Sequence, residues 1–350
     1  MAGAAVTEAV RLDLDDVRWE AFTTACRSAS PFHHPGWARV LSDTYGYPGF
    51  AIALADAEGR LLAGAPFLEV TTFTRRRRWI SLPFTDECPL LADDALSATR
   101  LLTALGDLHR GPGAPPIEIR GAALEVGWRA SAPAVTHVLE LDEDPAVVRR
   151  GFSRSQVVRN IRRAEREDLV VRVASSAEDL DAFWALHLRT RRRQGVPVQP
   201  RRFFDLLWAR IIEPGLGSIL LTWAGTTPVA AAVFLAWNGT TIYKFGASDP
   251  EAWPLRPNHL LFWTAIQESC ARRDTRFDFG RTDLDNDGLR AFKSSWGAAE
   301  RPLVYSAHAS AAEGGGEGIV GRVLATGIRR GPRWVCRGTG EVLYRYAAAR

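Results

Sequence analysis

The chain contains a repeat of itself, and this repeat limits its fold more than any other feature. When the sequence is shifted by 167 residues, residues 51–68 align with residues 218–235 without a gap, and seven of the 18 aligned positions are identical. Each copy has an apolar run, a short turn with one glycine and a second apolar run, which predicts a β-hairpin. A repeat of this length indicates that one structural unit is used twice.

The predicted elements around the two hairpins follow one another in the same order. The predicted helices lie at 37–45 and 96–105 in the first half and at 204–212 and 260–270 in the second, and the short buried strands lie at 117–119 and 277–279. Each half therefore has the order helix, hairpin, strand, helix, strand. This order predicts an α/β unit that occurs twice.

The sequence between and after the two halves predicts the domain organisation. Residues 152–169 place apolar side chains on one helical face and arginines on the rest, which predicts a basic connecting helix. After Tyr305 the sequence becomes glycine-rich and then ends in an arginine, tryptophan and tyrosine segment. We predict a first domain at 1–150, the connecting helix at 151–169, a second domain at 170–310, and at 311–350 a glycine-rich linker with a tail that packs back on the body. A peripheral membrane contact through this tail is an open alternative.

Length and composition exclude several classes of protein. A chain of 350 residues with 46% hydrophobic side chains is long enough for two domains with real cores. No apolar run reaches the roughly 18 to 20 residues that span a bilayer, and the first residues show no secretory signal pattern. The cysteines lie far apart, which predicts free thiols rather than disulfides or a zinc site: Cys26, Cys88, Cys270 and Cys336. We therefore expect a cytoplasmic protein without a metal.

Common catalytic motifs do not explain the chain. The sequence contains no G-x-S-x-G elbow, no H-E-x-x-H motif and no phosphate-binding G-x-x-x-x-G-K. One G-x-G-x-x-G occurs at Gly316, Gly318 and Gly321, but no predicted strand precedes it. We interpret this motif as part of the linker and not as a dinucleotide site.

Lysine is almost absent from this chain. Of its 44 basic side chains only Lys244 and Lys293 are lysines, and the rest are arginines. Such a bias indicates a GC-rich coding background, yet it makes each lysine informative, because a compact ammonium differs chemically from a guanidinium. Both lysines lie in a stretch where glycine and polar residues follow buried strands, which is where α/β proteins bind ligands. We predict a functional role for Lys293, against the alternative of a solvated loop charge.

Arginines cluster on either side of the start of the second domain. One group lies on the connecting helix, at Arg159, Arg162 and Arg163, and another includes Arg191 and Arg192. Guanidinium groups bind phosphate through paired hydrogen bonds, so the clusters predict a phosphate-binding surface. Because no aromatic RNA-recognition motif accompanies them, a helical nucleic acid is favoured over an unstacked strand. Solvated surface charge is the alternative.

The motifs in the second half resemble a known family. The order YKFGAS, LRPNHLLFW, FDFGRT and GLRAFKSSWG, with SLPFTDECPLL and RNIRRAERE upstream, resembles the FemAB-like branch of the GNAT superfamily. That branch includes the FemABX aminoacyltransferases of peptidoglycan cross-bridges and proteins with BioF2-like acetyltransferase domains. The resemblance covers roughly residues 33–305, and FK-x-x-WG is its most specific part. It implies an α/β fold of two tandem GNAT-like domains with a central cleft, in agreement with the repeat.

The resemblance also implies roles for single residues. Lys293 matches the lysine of the family's FK-x-x-[FW]G motif, which is implicated in handling the 3′ end of the tRNA and the transition state, and Asp278 and Arg281 match the strand that lines the cleft. The predicted catalytic residues are Lys293 and Asp278. The predicted substrate-binding residues are Tyr243, Lys244, Arg281, Asp86, Trp37 and Arg39. The predicted tRNA-binding residues are Arg159, Arg162, Arg163, Arg191, Arg192 and Lys293.

Two departures from known patterns bear on the substrates. Family members that use a UDP-linked muropeptide carry a lysine on the helix after the tryptophan, whereas Arg39 is the only base after Trp37 here, which argues against a nucleotide-linked acceptor. GNAT acetyltransferases bind the CoA pyrophosphate with backbone N–H groups of a glycine-containing loop. The corresponding residues 249–263 contain prolines, which lack an N–H group, and no glycine, and residues 81–91 are equally unsuitable. We expect no cofactor and disfavour acetyl-CoA.

The predicted reaction is transfer of an aminoacyl group from aminoacyl-tRNA to an amine, which forms an amide. Lys293 stabilises the developing negative charge, a contribution of about 3 to 4 kcal/mol for one such donor. Asp278 or Asp86 accepts the amine proton or holds the amine, and the acceptor is a peptidoglycan precursor or a natural-product intermediate. DNA is not an expected partner. The alternatives are a CoA- or carrier-dependent N-acyltransferase and a noncatalytic protein that binds tRNA or an anionic glycan.

Overall fold

The computed structural model describes residues 8–72, 75–123, 125–308, 328–329 and 331–347. The chain forms two compact units. Among the described residues, the first consists of 8–133, 302–308 and 345–347, and the second of 134–301, 328–329 and 331–344. The predicted glycine-rich linker and the G-x-G-x-x-G motif at 316–321 lie outside the described residues.

The first unit is built on one sheet with three helices. Its elements are β1 (Glu8–Asp13), α1 (Val17–Ala25), α2 (Pro35–Tyr45), β2 (Gly49–Ala55), β3 (Leu61–Thr71), β4 (Arg77–Ile80), β5 (Leu91–Ala92), α3 (Ala95–Arg110), β6 (Ile117–Ile119) and, late in the chain, β14 (Ala299–His308). The strands lie in the order β1-β2-β3-β4-β6-β14, and β5 pairs with β3. Only the β4 and β6 pair is parallel, because α3 returns the chain between these strands.

Local signals in the sequence explain where these elements begin and end. The hairpin predicted at 51–68 is formed by β2 and β3, and Gly59, with φ +81°, allows the tight turn between them. Asp94 starts α3 because its carboxylate accepts the N–H of Ser97 at 2.7 Å. Gly46, with φ +69°, ends α2. Side chains from the hairpin, α3 and β6 form the core, among them Phe50, Phe67, Leu101, Leu105 and Ile117.

The second unit has the same design, and its described residues form four additional helices. Its elements are β7 (Trp128–Glu140), α4 (Pro145–Arg150), α5 (Arg159–Ala164), β8 (Leu169–Val173), α6 (Ala177–Gln194), α7 (Arg201–Leu207), β9 (Gly217–Ala224), β10 (Thr227–Trp237), β11 (Thr240–Ser248), α8 (Pro257–Ala271), β12 (Arg276–Asp278), β13 (Thr282–Asp283), α9 (Asp287–Ser294) and α10 (Arg333–Ala347). The additional helices are α4, α5, α9 and α10. The strands lie in the order β7-β12-β11-β10-β9-β8, and β13 pairs with β7. A π-helical turn, Arg154–Val158, leads directly into α5.

The two units confirm the predicted duplication of an α/β unit. Each has a strand, two helices, a hairpin, a strand, a helix, a strand parallel to the one before, and a final antiparallel strand. The final strand of the first sheet is β14, and that of the second is β7, which pairs with β12. Each sheet is therefore completed by residues from the other half of the chain.

The described part of the C-terminal segment packs against the second unit. Cys336 on α10 is buried together with Val198 and Ile328, and its Sγ lies 3.6 Å from the carbonyl oxygen of Val196. The four cysteines are free thiols. None of the described helices combines the length and the apolar character that a bilayer crossing requires.

Candidate functional site

The turn that follows β12 is the centre of the predicted site. Asp278 ends the strand, and Gly280, with φ +71°, turns the chain away from the sheet. The Asp278 carboxylate accepts the N–H of Gly280 at 2.7 Å and the hydroxyl of Thr136. The N–H of Phe279 donates to the carbonyl of His137 at 2.9 Å. Strand β7 and the Asp278 side chain thus hold one side of this turn.

Lys293 holds the other side of the same turn. Asn286 starts α9 by accepting the N–H of Leu289 at 3.1 Å, and one turn of helix later Lys293 points inward with only 2% of its surface exposed. Its Nζ donates to the carbonyl oxygens of Gly280, at 2.6 Å, and Arg281, at 3.1 Å. Because a buried ammonium requires such partners, these two charge-assisted bonds fix the main chain of residues 280–281. The structure therefore brings both predicted catalytic residues to one turn.

Arg281 lies on this turn with a partly exposed side chain. Its main-chain oxygen is held by Lys293, while its guanidinium donates to the carboxylate of Asp283 at 2.8 Å. The side chain is about one third exposed. Arg281 can therefore reach a ligand without leaving its place in the turn.

Tyr243 and Lys244 lie at a β-bulge in the second sheet. Val233 of β10 pairs with Phe245 and Phe234 pairs with Tyr243, so Lys244 is the extra residue of β11. Bulges redirect side chains and are common beside active sites. Burial raises the pKa of Tyr243 to about 12, so its hydroxyl stays protonated at neutral pH. The bulge thus places a protonated phenol and an ammonium on neighbouring residues.

The predicted substrate-binding residues of the first unit differ in exposure. Trp37 is fully buried, and its indole Nε1 donates to the hydroxyl of Thr85 at 2.8 Å. Arg39 forms an ion pair with Asp15. The main-chain oxygen of Asp86 accepts the hydroxyl of Tyr305 at 3.1 Å. The structure thus places Trp37 in the core, and Arg39 and Asp86 remain partly exposed.

The loop that carries Asp86 has an unusual backbone. Leu82 and Phe84, with φ +63° and +59°, both adopt the left-handed conformation that side chains with a Cβ rarely take. The hydroxyl of Ser81 donates to the carbonyl of Cys88 at 2.9 Å and closes the loop. Two strained residues so close together are typical of ligand-binding loops, and no sequence pattern predicts them.

Three of the predicted tRNA-binding arginines have other partners. Arg191 and Arg192 donate through Nε to the carbonyl oxygens of Pro197, at 3.1 Å, and Gly331, at 2.9 Å. Arg163 lies 3.7 Å from the carboxylate of Glu167. Arg191 and Arg192 therefore hold main-chain carbonyls of the second unit, whereas the exposed ion pair of Arg163 contributes little to stability.

Arg159 and Arg162 instead line a groove of about 1080 Å³. We call it the arginine groove; its lining residues are Ala146, Arg149, Arg150, Phe152, Arg154, Val158, Arg159, Arg162, Glu165 and Arg166. Arg154 and Arg166 belong to the basic face predicted for residues 152–169, whereas two arginines at the end of α4 were missed by the sequence analysis: Arg149 and Arg150. The Arg-Arg pair that ends α4 is the signal that would have extended the basic surface upstream of residue 151.

The arginine groove is attached to the segment that follows Lys293. The N–H of Ser153 donates to the carbonyl of Ser295 at 2.8 Å. The rings of Phe152 and Trp296 lie 5.1 Å apart with their planes inclined by 70°. The ring contact is buried and the hydrogen bond lies beside it, so the start of the groove and the end of α9 form one packed structure.

His137 is a buried polar group that sequence reasoning missed. Its Nε2 lies 3.2 Å from the carboxylate of Glu300, which Arg290 also binds through two 2.9 Å contacts. Burial and then the charge of Lys293 lower the pKa of His137, so its ring is neutral at pH 7. A lone histidine in an alternating strand gives no motif. Only the pairing of β7 with β12 and β13 shows that it borders the turn.

The described residues offer no obvious metal ligands. Within the ranges that the structure describes, no three His, Cys, Asp or Glu side chains come together in an arrangement that would hold a metal ion.

Comparison with known proteins identifies the second unit. Residues 151–294, which include α5, the arginine groove from Phe152 onward and Lys293, match the acetyltransferase (GNAT) domain family. A curated relative, the lipid II:glycine glycyltransferase of Staphylococcus aureus, is 33% identical over 75 residues. This alignment covers 20% of the chain and spans 18% of the length of the relative.

Solved structures share the fold over most of the chain. FemX superimposes with a TM-score of 0.70 at 16% identity, over 85% of this chain and 96% of FemX. A tandem GNAT protein from the clavulanic acid biosynthesis pathway superimposes with a TM-score of 0.51 at 15% identity, over 88% of this chain and all of that chain (100%). The predicted fold of two tandem GNAT-like units is confirmed. Residues 151–294 match the GNAT acetyltransferase domain family, and the predicted resemblance of the chain to the FemAB/FemX-like branch of the GNAT superfamily is confirmed.

Proposed function

We propose that the protein is an acyltransferase that moves an aminoacyl group from aminoacyl-tRNA to an amine and so forms an amide bond. The resemblance to the FemX-like branch supports this reaction class, and the turn held by Lys293 and Asp278 is its proposed site. Aminoacyl-tRNA is a cytoplasmic substrate, so the proposal assigns the reaction to the cytoplasm.

The loop before α8 is the observation that supports this donor over acetyl-CoA. A pyrophosphate site at this position needs free backbone N–H groups at a helix N-terminus. Three residues of the loop lack an N–H group: Pro250, Pro254 and Pro257. The N–H groups of Glu251 and Ala252 donate to Asp249, at 3.1 and 3.2 Å. That of Arg256 donates to Trp253 at 3.0 Å. Few amide donors therefore remain for a CoA pyrophosphate.

The site residues suit attack on an ester. The neutral amine attacks the carbonyl carbon of the aminoacyl ester, the C–N bond forms, and the bond from that carbon to the ribose oxygen breaks. The amine loses a proton, and the ribose oxygen gains one as it leaves. In this proposal the ammonium of Lys293 and the turn that it holds stabilise the negative charge that develops on the carbonyl oxygen. Asp278 or Asp86 holds the amine or accepts its proton, and Tyr243, Lys244 and Arg281 bind the acceptor.

The acceptor is proposed from the relatives. The staphylococcal relative is a lipid II:glycine glycyltransferase. A peptidoglycan precursor is accordingly the first acceptor to test, and an amine intermediate of a natural product is the second. Helix α2 contains no lysine that could bind a nucleotide phosphate, and its one basic residue, Arg39, is paired with Asp15. Both facts argue against a UDP-linked acceptor.

A transfer assay tests this function directly. The protein is incubated with a lipid-linked muropeptide or an amine panel, and with either a mixture of charged tRNAs or acetyl-CoA, and products are identified by mass spectrometry. We expect an aminoacylated product that forms with charged tRNA and disappears when RNase is added first. A product that forms with acetyl-CoA and survives RNase treatment would contradict the proposal and support the N-acyltransferase alternative.

A further inference from the structure

We infer that the arginine groove binds the sugar-phosphate backbone of an RNA duplex, the acceptor arm of the donor tRNA. The inference rests on the proposed function for the identity of the RNA, but the groove itself is argued from its charge, shape and attachment. It assigns RNA binding to the arginines of the groove and not to Arg163, Arg191 and Arg192, which were also predicted from the sequence to bind tRNA.

The groove carries positive charge that the protein does not neutralise. Six arginines line it, and Glu165 is the only acidic residue among its lining residues. Within the residues that the structure describes, none of the six guanidinium groups forms an ion pair with a carboxylate. The only hydrogen bond from one of them runs from Arg166 Nε to the carbonyl of Arg162, at 3.1 Å. A groove with this excess of positive charge attracts anions, and a nucleic-acid strand supplies several phosphates in a row.

The spacing of the arginines fits a nucleic-acid strand. Arg154 and Arg162 lie on one continuous helical segment and are separated by about 12 Å along its axis, at ~1.5 Å per residue. Every nucleotide of a strand carries one phosphate, so two guanidinium groups this far apart can contact different phosphates of the same strand. The arrangement therefore suits a strand with several phosphates better than a single small anion.

The shape and the packing favour RNA over a membrane surface. The opposite face of the helix is buried through Val157, Ile161 and Ala164, so the basic face is rigidly held. The large apolar lining residue Phe152 is only 4% exposed, and Val158 is half-buried. A membrane-binding helix would instead expose large apolar side chains such as Trp, Phe or Leu next to its basic ones.

The attachment of the groove to α9 relates RNA binding to the candidate catalytic turn. Phe152 packs on Trp296, and Ser153 is hydrogen bonded to Ser295, two residues after Lys293. Asn160 lies on the same helix and is 3.3 Å from the ring of His259, which stacks on Trp296. An RNA held in the groove is therefore held at a fixed distance from Lys293.

A salt titration with matched variants tests the inference. The probe is a fluorescently labelled RNA hairpin with an unpaired CCA end that carries no amino acid, and binding is measured by fluorescence anisotropy. The test variant combines Arg159→Gln, Arg162→Gln and Arg166→Gln, and the control is Arg163→Gln on the same helix. With about six phosphate contacts, the wild type and the control should lose roughly 10³-fold in affinity between about 50 and 200 mM salt. The test variant, with about three contacts, should lose only about 40-fold.

The outcomes separate this inference from the proposed function. Groove-dependent RNA binding without any product in the transfer assay supports the groove and contradicts the proposed function. Normal product formation with an unchanged salt dependence in the test variant overturns the groove. Binding of the wild type to phosphatidylglycerol vesicles that the test variant loses, with no binding to the RNA hairpin, also overturns it and makes the groove a membrane surface.

Discussion

Lys293 is buried, so its substitution should lower the stability of the protein as well as its turnover. Its ammonium makes two hydrogen bonds to main-chain carbonyls. Lys293→Met leaves both carbonyls without this donor, so we expect the free energy of unfolding to fall by about 1 to 3 kcal/mol. A typical domain, stable by about 5 to 15 kcal/mol, stays folded after such a loss. We expect turnover in the transfer assay to fall at least ~100-fold at a temperature where urea denaturation shows the variant to be folded.

Lys244→Met is the matched control for the stability part of this prediction. It removes the same group from the other lysine, which lies at the β11 bulge and is partly exposed. We expect its unfolding free energy to stay within about 0.5 kcal/mol of the wild type. If Lys293→Met were as stable as this control and kept full turnover, Lys293 would have no part in the mechanism.

A functional role for Lys293 could be predicted from the sequence, but its hydrogen-bond partners could not. Its rarity and its motif indicated a function, but its partners depend on Gly280, which adopts a positive φ only in the folded turn. The same holds for arginine. Arg162 and Arg163 are neighbours in sequence, yet one faces a groove and the other pairs with Glu167. Which side of a helix is covered depends on distant residues, so sequence alone could not separate them.

The close packing of α9 against the start of the arginine groove gives a second prediction. A Cβ on Gly297, which has φ +77°, would lie 2.9 Å from the carbonyl oxygen of Gly151. We expect Gly297→Ala to lower the unfolding free energy by about 2 kcal/mol or more, because strain and overlap add. It should also weaken RNA binding, because it separates the groove from α9. The measurements are urea denaturation and RNA anisotropy.

Gly288→Ala within α9 is the control for that change. A Cβ on Gly288 meets nothing within 4 Å, and alanine favours a helix over glycine. We expect this variant to be as stable as the wild type or more stable by up to about 1 kcal/mol. Equal destabilisation by both substitutions would show that the contact between Gly297 and Gly151 does not hold α9 in place.

Local elements were predicted well, and irregular ones were not. The hairpins of both units appear where the repeat placed them, because their apolar runs and glycine turns lie close together in sequence. The bulge at Lys244 was not foreseen, since nothing in YKFGAS shows which residue lacks a partner on β10. The helix expected over 152–169 is helical only over 154–164, because its first residues pack on Trp296.

The protein as a whole should lose stability in mild acid. His33 in the first unit and His187 in the second are almost fully buried, and burial lowers their pKa values to about 4 and about 3. His33 Nδ1 accepts the N–H of Ser30 at 3.0 Å, a bond that protonation would break. As the pH falls below about 6.5, these two histidines bind protons in the unfolded chain but stay neutral in the folded chain. Each histidine should therefore cost about 2 kcal/mol between pH 7 and pH 5.

Urea denaturation at pH 7 and pH 5, followed by circular dichroism, checks this expectation. His33→Gln keeps a side-chain amide donor but does not titrate, so the pH dependence should shrink by about 2 kcal/mol. A wild-type stability that is equal at both pH values would refute the assignment of neutral buried rings.

The exchange of final strands has a consequence for how the duplicated chain can be divided. Residues 302–308 complete the first sheet and residues 134–140 complete the second, so each half of the gene encodes the closing strand of the other half's sheet. A fragment that stops at residue 150 would leave β6 without its antiparallel neighbour, with backbone N–H and C=O groups open to aggregation. The repeat that is visible in the sequence is thus not a module that can be excised. Truncation, domain swapping between relatives or circular permutation has to keep both halves together.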